Sequence, residues 1–293
     1  MFGLRSRLLP LANRNLRLNA ALPKAFFSSK YSGSYVSANL DSETGIADLT
    51  MHAPPVNSFN LPFLTEFVHH LDRIEADNSI RAVIVRSSLK HFCAGIDMSG
   101  ELLNAKEAQL REFYRYFQDT WFKLFSSSKI VIGLANGQAV AGGCVLLMCC
   151  DYRIATPVQK SYSIAAGRIG LLTPPWVIDT LTHNIGPRKT ELMIQSCRSL
   201  SSDEALQYGI IDEIDETGDK AYGRAVAVAN EWMKSPSFSH EITKASVRRK
   251  IIDRFTRSRQ SELDSFCKHI LKDSIQANIK NFIDDMKKSK ASK

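Results

Sequence analysis

The chain has 293 residues, 44% of them apolar, with a formal net charge of +8, enough for a sizeable buried core in one large or two small domains. Six of its basic residues, Arg5, Arg7, Arg14, Arg17, Lys24 and Lys30, fall within the first thirty positions, and without them the charge drops to +2. The basic balance is therefore no argument for a nucleic-acid partner, and with no run of about 18 or more apolar residues no membrane span is expected.

No acidic residue precedes Asp41, and Leu4, Leu8, Leu11 and Leu16 recur at roughly helical spacing between the arginines. Residues 1–30 thus have the composition of a mitochondrial transit peptide, a disordered basic tail being the alternative. No uninterrupted apolar region follows the first basic residues, which disfavours a secretory signal. Six cysteines, Cys93, Cys144, Cys149, Cys150, Cys197 and Cys267, form no CxxC pair and no zinc-ligand pattern with the histidines. In a reducing matrix they read as buried thiols, and no metal is expected.

Gly45 to Met51 reads as a strand that Pro54, Pro55 and Asn57 break. Leu64, Phe67, Val68, Leu71 and Ile74 share one helical face, with Pro62 acceptable in the first turn. Ala82 to Val85 has the all-apolar character of a buried parallel strand, followed by a loop at His91 to Asp97. A helix over Lys106 to Phe125, a strand at Ile130 to Leu134, a small-residue loop at Asn136 to Gly143 and a short helix at Cys144 to Cys150 come next. Strand, loop and helix repeat in this order, which predicts an α/β core. Ser202 starts a short helix that Gly209 ends, Ile210 to Ile214 resembles one more strand, and from Asp219 onward the pattern is helical, with a join at Pro236.

Two segments offer small residues where backbone N–H groups can approach a ligand, HFCAGIDM at 91–98 and NGQAVAGG at 136–143. The second opens a helix, whose first amides favour negative charge. Two such N–H groups converging on a thioester oxygen would stabilise an enolate, although on spacing alone Gly-Gly before a helix reads equally as a tight turn.

FCAGIDM resembles the F-x-A-G-x-D signature of the crotonase superfamily, NGQAVAGGCVLLMCCDYRIAT its N-G-x-x-x-G-G-G helix segment, and SSDEALQYGIIDEI its S-A-x-E-A-x-x-x-G-L-V-D stretch, in the same order and spacing. Within that superfamily PPVNSFNLPFLTEF, PPWVIDTLTHNIGPRKTE and KDSIQANIKNFI resemble the mitochondrial 3,2-enoyl-CoA isomerase family. The resemblance covers residues 36–290. It implies an α/β spiral of ββα turns over residues 36–221 and a C-terminal helical region, residues 222–293, that makes trimers. It also implies an acyl-CoA thioester substrate, isomerisation of 3-enoyl-CoA to trans-2-enoyl-CoA in fatty acid β-oxidation in the mitochondrial matrix, and no cofactor beyond the CoA of the substrate. Ala94, Gly95, Ile96, Asp97 and Met98 fall on the substrate-binding loop, and the Ile96 and Gly142 amides on the oxyanion-hole positions.

Two positions depart from the pattern. The proton-shuttling Glu of these isomerases lies in a segment like I-G-L-N-E-T-Q-L-G, whereas residues 164–170 read IAAGRIG, two residues shorter, with Ala166 at the Glu position. Hydratases of the superfamily carry a second Glu where Val145 stands. Both acid/base sites are apolar, which makes hydration the lesser expectation and leaves a second reading, an acyl-CoA-binding paralogue with little turnover. Glu101 is the acidic residue nearest the binding loop in sequence, and is either a replacement acid or a solvated first-turn residue. Asp97 reads as a loop-capping carboxylate, and Arg168 as a surface residue or a partner for a ligand anion.

Overall fold

The computed structural model describes residues 35–291. The expected leader, residues 1–30, lies outside them. Six strands form one sheet in the order β1-β2-β3-β4-β6-β8. They are β1 (Val36–Asp41), β2 (Ile46–Met51), β3 (Ala82–Ser87), β4 (Ile130–Ala135), β6 (Tyr152–Ala155) and β8 (Glu213–Ile214). Only β1 runs antiparallel to its neighbour, and every other pairing is parallel.

The Ala-Val-Ile-Val run of β3 is apolar throughout because both faces of the sheet are covered. Val83 and Val85 join the larger core cluster, with Leu49, Phe63 and Phe67. Ala82 and Ile84 face the other way, into a smaller cluster with Ile132, Ala225 and Val228. The larger cluster is covered by helix α1 (Leu61–Ala76), α2 (Glu107–Phe125) and the short α3 (Gly142–Met148), and the smaller by α7 (Gly218–Trp232).

Local signals set the helix ends. The Asn60 side chain accepts from the Phe63 amide at 2.9 Å and Pro62 sits in the first turn of α1, whose buried stripe contains the five residues expected from the sequence. Helix α4 (Pro175–Ile185) and α5 (Pro187–Ser196) each begin at proline, which loses no bonded N–H there. Helix α6 (Ser202–Tyr208) starts on a Ser201–Glu204 capping box and ends at Gly209, which adopts φ +85°. Two long helices, α8 (Ser237–Ile270) and α9 (Asp273–Ala291), finish the chain.

The structure differs from expectation at several elements. Strands β1 and β6 were not anticipated: β1 is an edge strand with mixed exposure, and β6 follows the buried Cys149-Cys150 pair with only four residues. The strand expected at Ile210–Ile214 shrinks to Glu213–Ile214, because Ile210 and Ile211 are drawn into the core as the chain leaves α6. Among the described residues no helix is long and apolar enough to cross a membrane. All six cysteines are free and buried, as expected.

Candidate functional site

The loop after β3 is held from below by one buried residue. Asn57, at φ +53° and fully buried, donates through Nδ2 to Ser87 Oγ (2.7 Å) and to the Phe92 carbonyl (2.9 Å), while its Oδ1 accepts from the Ala53 amide (2.7 Å). The same loop is clamped from both sides. Ala94 N donates to Val56 O, Phe59 N to Gly95 O and Asp97 N to Phe59 O, at 2.7–3.0 Å. Across from these, Cys93 N donates to Gln138 O (3.0 Å) and Val140 N to Cys93 O (2.9 Å).

This pattern leaves one amide over. The Gly95 N–H rests on Cys93 Sγ at 3.4 Å, so from Cys93 to Asp97 only the Ile96 amide lacks an acceptor among the described residues. Gly142 opens α3, and its amide is likewise without an acceptor there, as the geometry of a helix start dictates. The preceding amide, Ala141 N, is tied to Ser163 O at 2.7 Å through the pairing of the short strands β5 (Ala139–Val140) and β7 (Tyr162–Ser163).

The two loops touch where the free amides lie. A Cβ at Gly95 would stand 2.9 Å from Gly142 N, and one at Gly143 would stand 2.2 Å from Cys93 O. Glycine at these positions allows backbone contact that any side chain would block. The structure thus brings Gly95 against Gly142, with Ala94 and Ile96 on either side of Gly95 in the chain. Asp97 and Met98 follow directly: Asp97 Oδ1 accepts from Ser99 N and Gly100 N at 3.1 Å, capping a π-helical turn over Met98–Leu102. That is the loop-capping role expected of it.

The surroundings of Gly142 are apolar. A cavity of about 10 Å³, room for a single water, is lined by Phe59, Phe117, Trp121, Gly142, Val145 and Trp176 among others. The Phe59 ring lies over Gly142, 2.8 Å from where its Cβ would be. Phe59 escaped the sequence reading: its role comes from backbone bonds to Gly95 and Asp97 that no local pattern reveals. Cys93 is inert as a nucleophile, since complete burial pushes its thiol up to about 12.

Three other candidates lie outside the two loops. Ala166 is half-buried at the start of a 3-10 turn, Ala166–Ile169, three residues beyond the pinned Ser163. Arg168 spends its guanidinium on the Cys197 carbonyl at 2.8 Å. Glu101 is half-buried rather than solvated, and its Oε1 accepts from Leu61 N at 2.8 Å, at the start of α1. Burial raises its carboxyl above the ordinary range, with nearby Asp97 adding to the rise and the Leu61 hydrogen bond opposing it.

A model of the enoyl-CoA hydratase/isomerase family matches residues 41–290. The chain belongs to that family. It is 32% identical over 264 residues to "Enoyl-CoA delta isomerase 1, mitochondrial" of Mus musculus, covering 89% of this chain and 90% of that one. The protein of the same name from Homo sapiens is 32% identical over 252 residues, with 85% and 83% covered. The crystal structure of human mitochondrial delta3-delta2-enoyl-CoA isomerase superposes with a TM-score of 0.84 at 31% identity, covering 87% of this chain and 99% of that one. Enoyl-CoA hydratase from Bacillus halodurans, at 20% identity and a TM-score of 0.75, shares the fold. The crotonase-like α/β architecture expected from the motifs is therefore borne out, and the two small-residue loops meet at Gly95 and Gly142.

Proposed function

We propose that this family member binds a 3-enoyl-CoA thioester and shifts its double bond to the trans-2 position in mitochondrial β-oxidation. The observation that carries the reading is the pair of free amides, Ile96 and Gly142, on two loops in backbone contact. Donated to a thioester oxygen, they would stabilise the enolate that forms when a proton leaves C2, and fixed donors in an apolar setting are worth more than the same donors in water. The chemistry asks for a base and an acid but no redox cofactor or metal. Ala94, Gly95, Asp97 and Met98 would shape the groove for the acyl-CoA.

A second reading rests on the two apolar acid/base positions. Val145 is buried in the wall of the cavity at Gly142, and the family resemblance would put Ala166 where the shuttling Glu is expected. General acid–base catalysis contributes a factor of roughly 100 to 10,000, so a site with the oxyanion hole alone would bind and polarise acyl-CoA with little turnover.

The mitochondrial relatives support a matrix location, with residues 1–30 as the import signal. A homotrimer assembled through the C-terminal helices is part of the same reading, supported by Phe238 and Ile242, large apolar side chains that α8 leaves 49% and 44% exposed. The deciding experiment assays purified protein lacking residues 1–30 with cis- and trans-3-enoyl-CoA and measures acyl-CoA binding in parallel. Turnover with binding supports the isomerase, binding without turnover the paralogue, and neither overturns both.

A further inference from the structure

A second cleft, of about 420 Å³, opens at the end of β4 opposite the Gly142 loop, where Ile130 begins the strand and Asp151 precedes β6. The first three turns of α8 form one wall. Ser239, Thr243 and Val247 follow one another at four-residue spacing on it, and His240, Lys244 and Arg248 run alongside. Ser235, Trp232 and His183 close the sides.

The wall holds two buried cations on one carboxylate. Lys244 Nζ lies 2.5 Å from Asp151 Oδ2 and Arg248 Nη2 lies 2.9 Å from Asp151 Oδ1, with the three side chains only 8–11% exposed. One positive charge is thus left unmatched in this trio, a costly arrangement in a weakly hydrated wall. Unused donors accompany it. Lys244 Nζ also donates to Lys129 O, which leaves one of its three protons over. Arg248 spends Nη1 on the Phe125 and Cys149 carbonyls, and its Nε–H has no acceptor among the described residues. The hydroxyls of Ser235, Ser239 and Thr243 make no hydrogen bond there either. His183 reports the same field: desolvation first, then Arg248 and Arg153, hold its imidazole below the usual value.

We propose that this cleft binds a phosphate group, as inorganic phosphate or a phosphate monoester. The ammonium, guanidinium and hydroxyl donors outnumber what the two oxygens of a carboxylate can accept, whereas a phosphate offers three or four. Ile130, Trp232 and Val247 supply an apolar side on which the organic part of an ester would lie, and the volume falls within the usual range for small-molecule sites. The site shares no residue with the Ile96–Gly142 pair, and its ligand is independent of the thioester reading.

The test follows the His183 imidazole by NMR in the full chain, titrated with inorganic phosphate and separately with phenyl phosphate, at an ionic strength held constant with chloride. An anion seated among Lys244, Arg248 and His240 favours the imidazolium, so the His183 pKa should rise on saturation. The Ser239→Ala/Thr243→Val double variant, which leaves the buried ion trio in place, should weaken binding at least fivefold with acyl-CoA binding unchanged. Tighter binding of phenyl phosphate identifies a monoester site, and equal binding a phosphate site. A His183 pKa that responds no more to phosphate than to chloride overturns the proposal, as does unaltered phosphate affinity in the double variant.

Discussion

Gly95 and Gly142 hold the two loops in backbone contact: a Cβ at position 95 would sit 2.9 Å from the Gly142 nitrogen and 3.0 Å from the Val140 oxygen, and Gly95 itself adopts φ +82°. Gly95→Ala should therefore cost stability twice. The left-handed backbone accounts for about 1–2 kcal/mol, and separation of the loops adds to it. Gly209→Ala is the control, because Gly209 is left-handed at φ +85° and its Cβ position stands 3.7 Å from the nearest atom, an ordinary contact distance. Denaturant unfolding should rank Gly95→Ala clearly below Gly209→Ala, and only the former should lose the ultraviolet shift of a bound enoyl-CoA chromophore. Equal losses in the two variants would show that the loops are not in tight contact.

Ala141 carries strain next to this contact. Its φ of +50° and ψ of −117° form a combination that side chains disfavour, and its amide is held in place by Ser163. Ala141→Gly should raise stability by about 1 kcal/mol, the relief of a strained position less the entropy that a glycine loses on folding. Urea unfolding measures it, and a destabilised variant would mean that the Ala141 methyl contributes more through packing than its backbone costs.

The legible parts of the sequence were those whose signal is local. The apolar run of β3, the stripe on α1, and the Ser202 start and Gly209 end of α6 appear where periodicity and capping put them. The two motif loops were legible because close backbone approach demands small residues. Partners far apart in the chain were not. Glu101 caps a helix start forty positions earlier, Phe59 brackets Gly95 and Asp97, and β1 is recognisable as a strand only through its pairing with β2.

Glu101→Gln separates capping from catalysis. The amide oxygen of Gln can still accept from Leu61 N, so the start of α1 should survive. Wild-type Glu101 has its folded pKa raised, chiefly by burial. Its contribution to stability is therefore complete below the ordinary glutamate value near 4.5 and is lost as pH rises through the raised folded value. The Gln variant, uncharged throughout, should gain relative to wild type as pH climbs from 4 to 7 in thermal unfolding, and should keep whatever acyl-CoA turnover the wild type shows to within about twofold. A loss of roughly a hundredfold or more would make Glu101 an acid/base group after all.

Residues 164–170, which the family resemblance makes two residues shorter than their counterpart, offer the most direct test of catalysis. Ser163 is anchored to Ala141 N at one end, and Gly170 is anchored at the other by the His269 ring, whose Nε2 lies 2.8 Å from the Gly170 carbonyl. Between these fixed ends the chain forms only a single 3-10 turn, with Ala166 at its start. A carboxylate placed at Ala166 without extra length would be displaced from the family position, and an error of about 1 Å can cost a factor of roughly 100. Ala166→Glu combined with two residues inserted before it gives the turn back its reach. If the oxyanion amides are in working order, this variant should isomerise 3-enoyl-CoA at least tenfold faster than wild type, equivalent to about 1.4 kcal/mol of transition-state stabilisation, while the point substitution alone should gain less. The acyl-CoA dissociation constant should hold steady across the series, so that the change appears in kcat. A wild type as fast as the loop-restored variant would mean that a proton carrier other than the residue at 166 already serves the site.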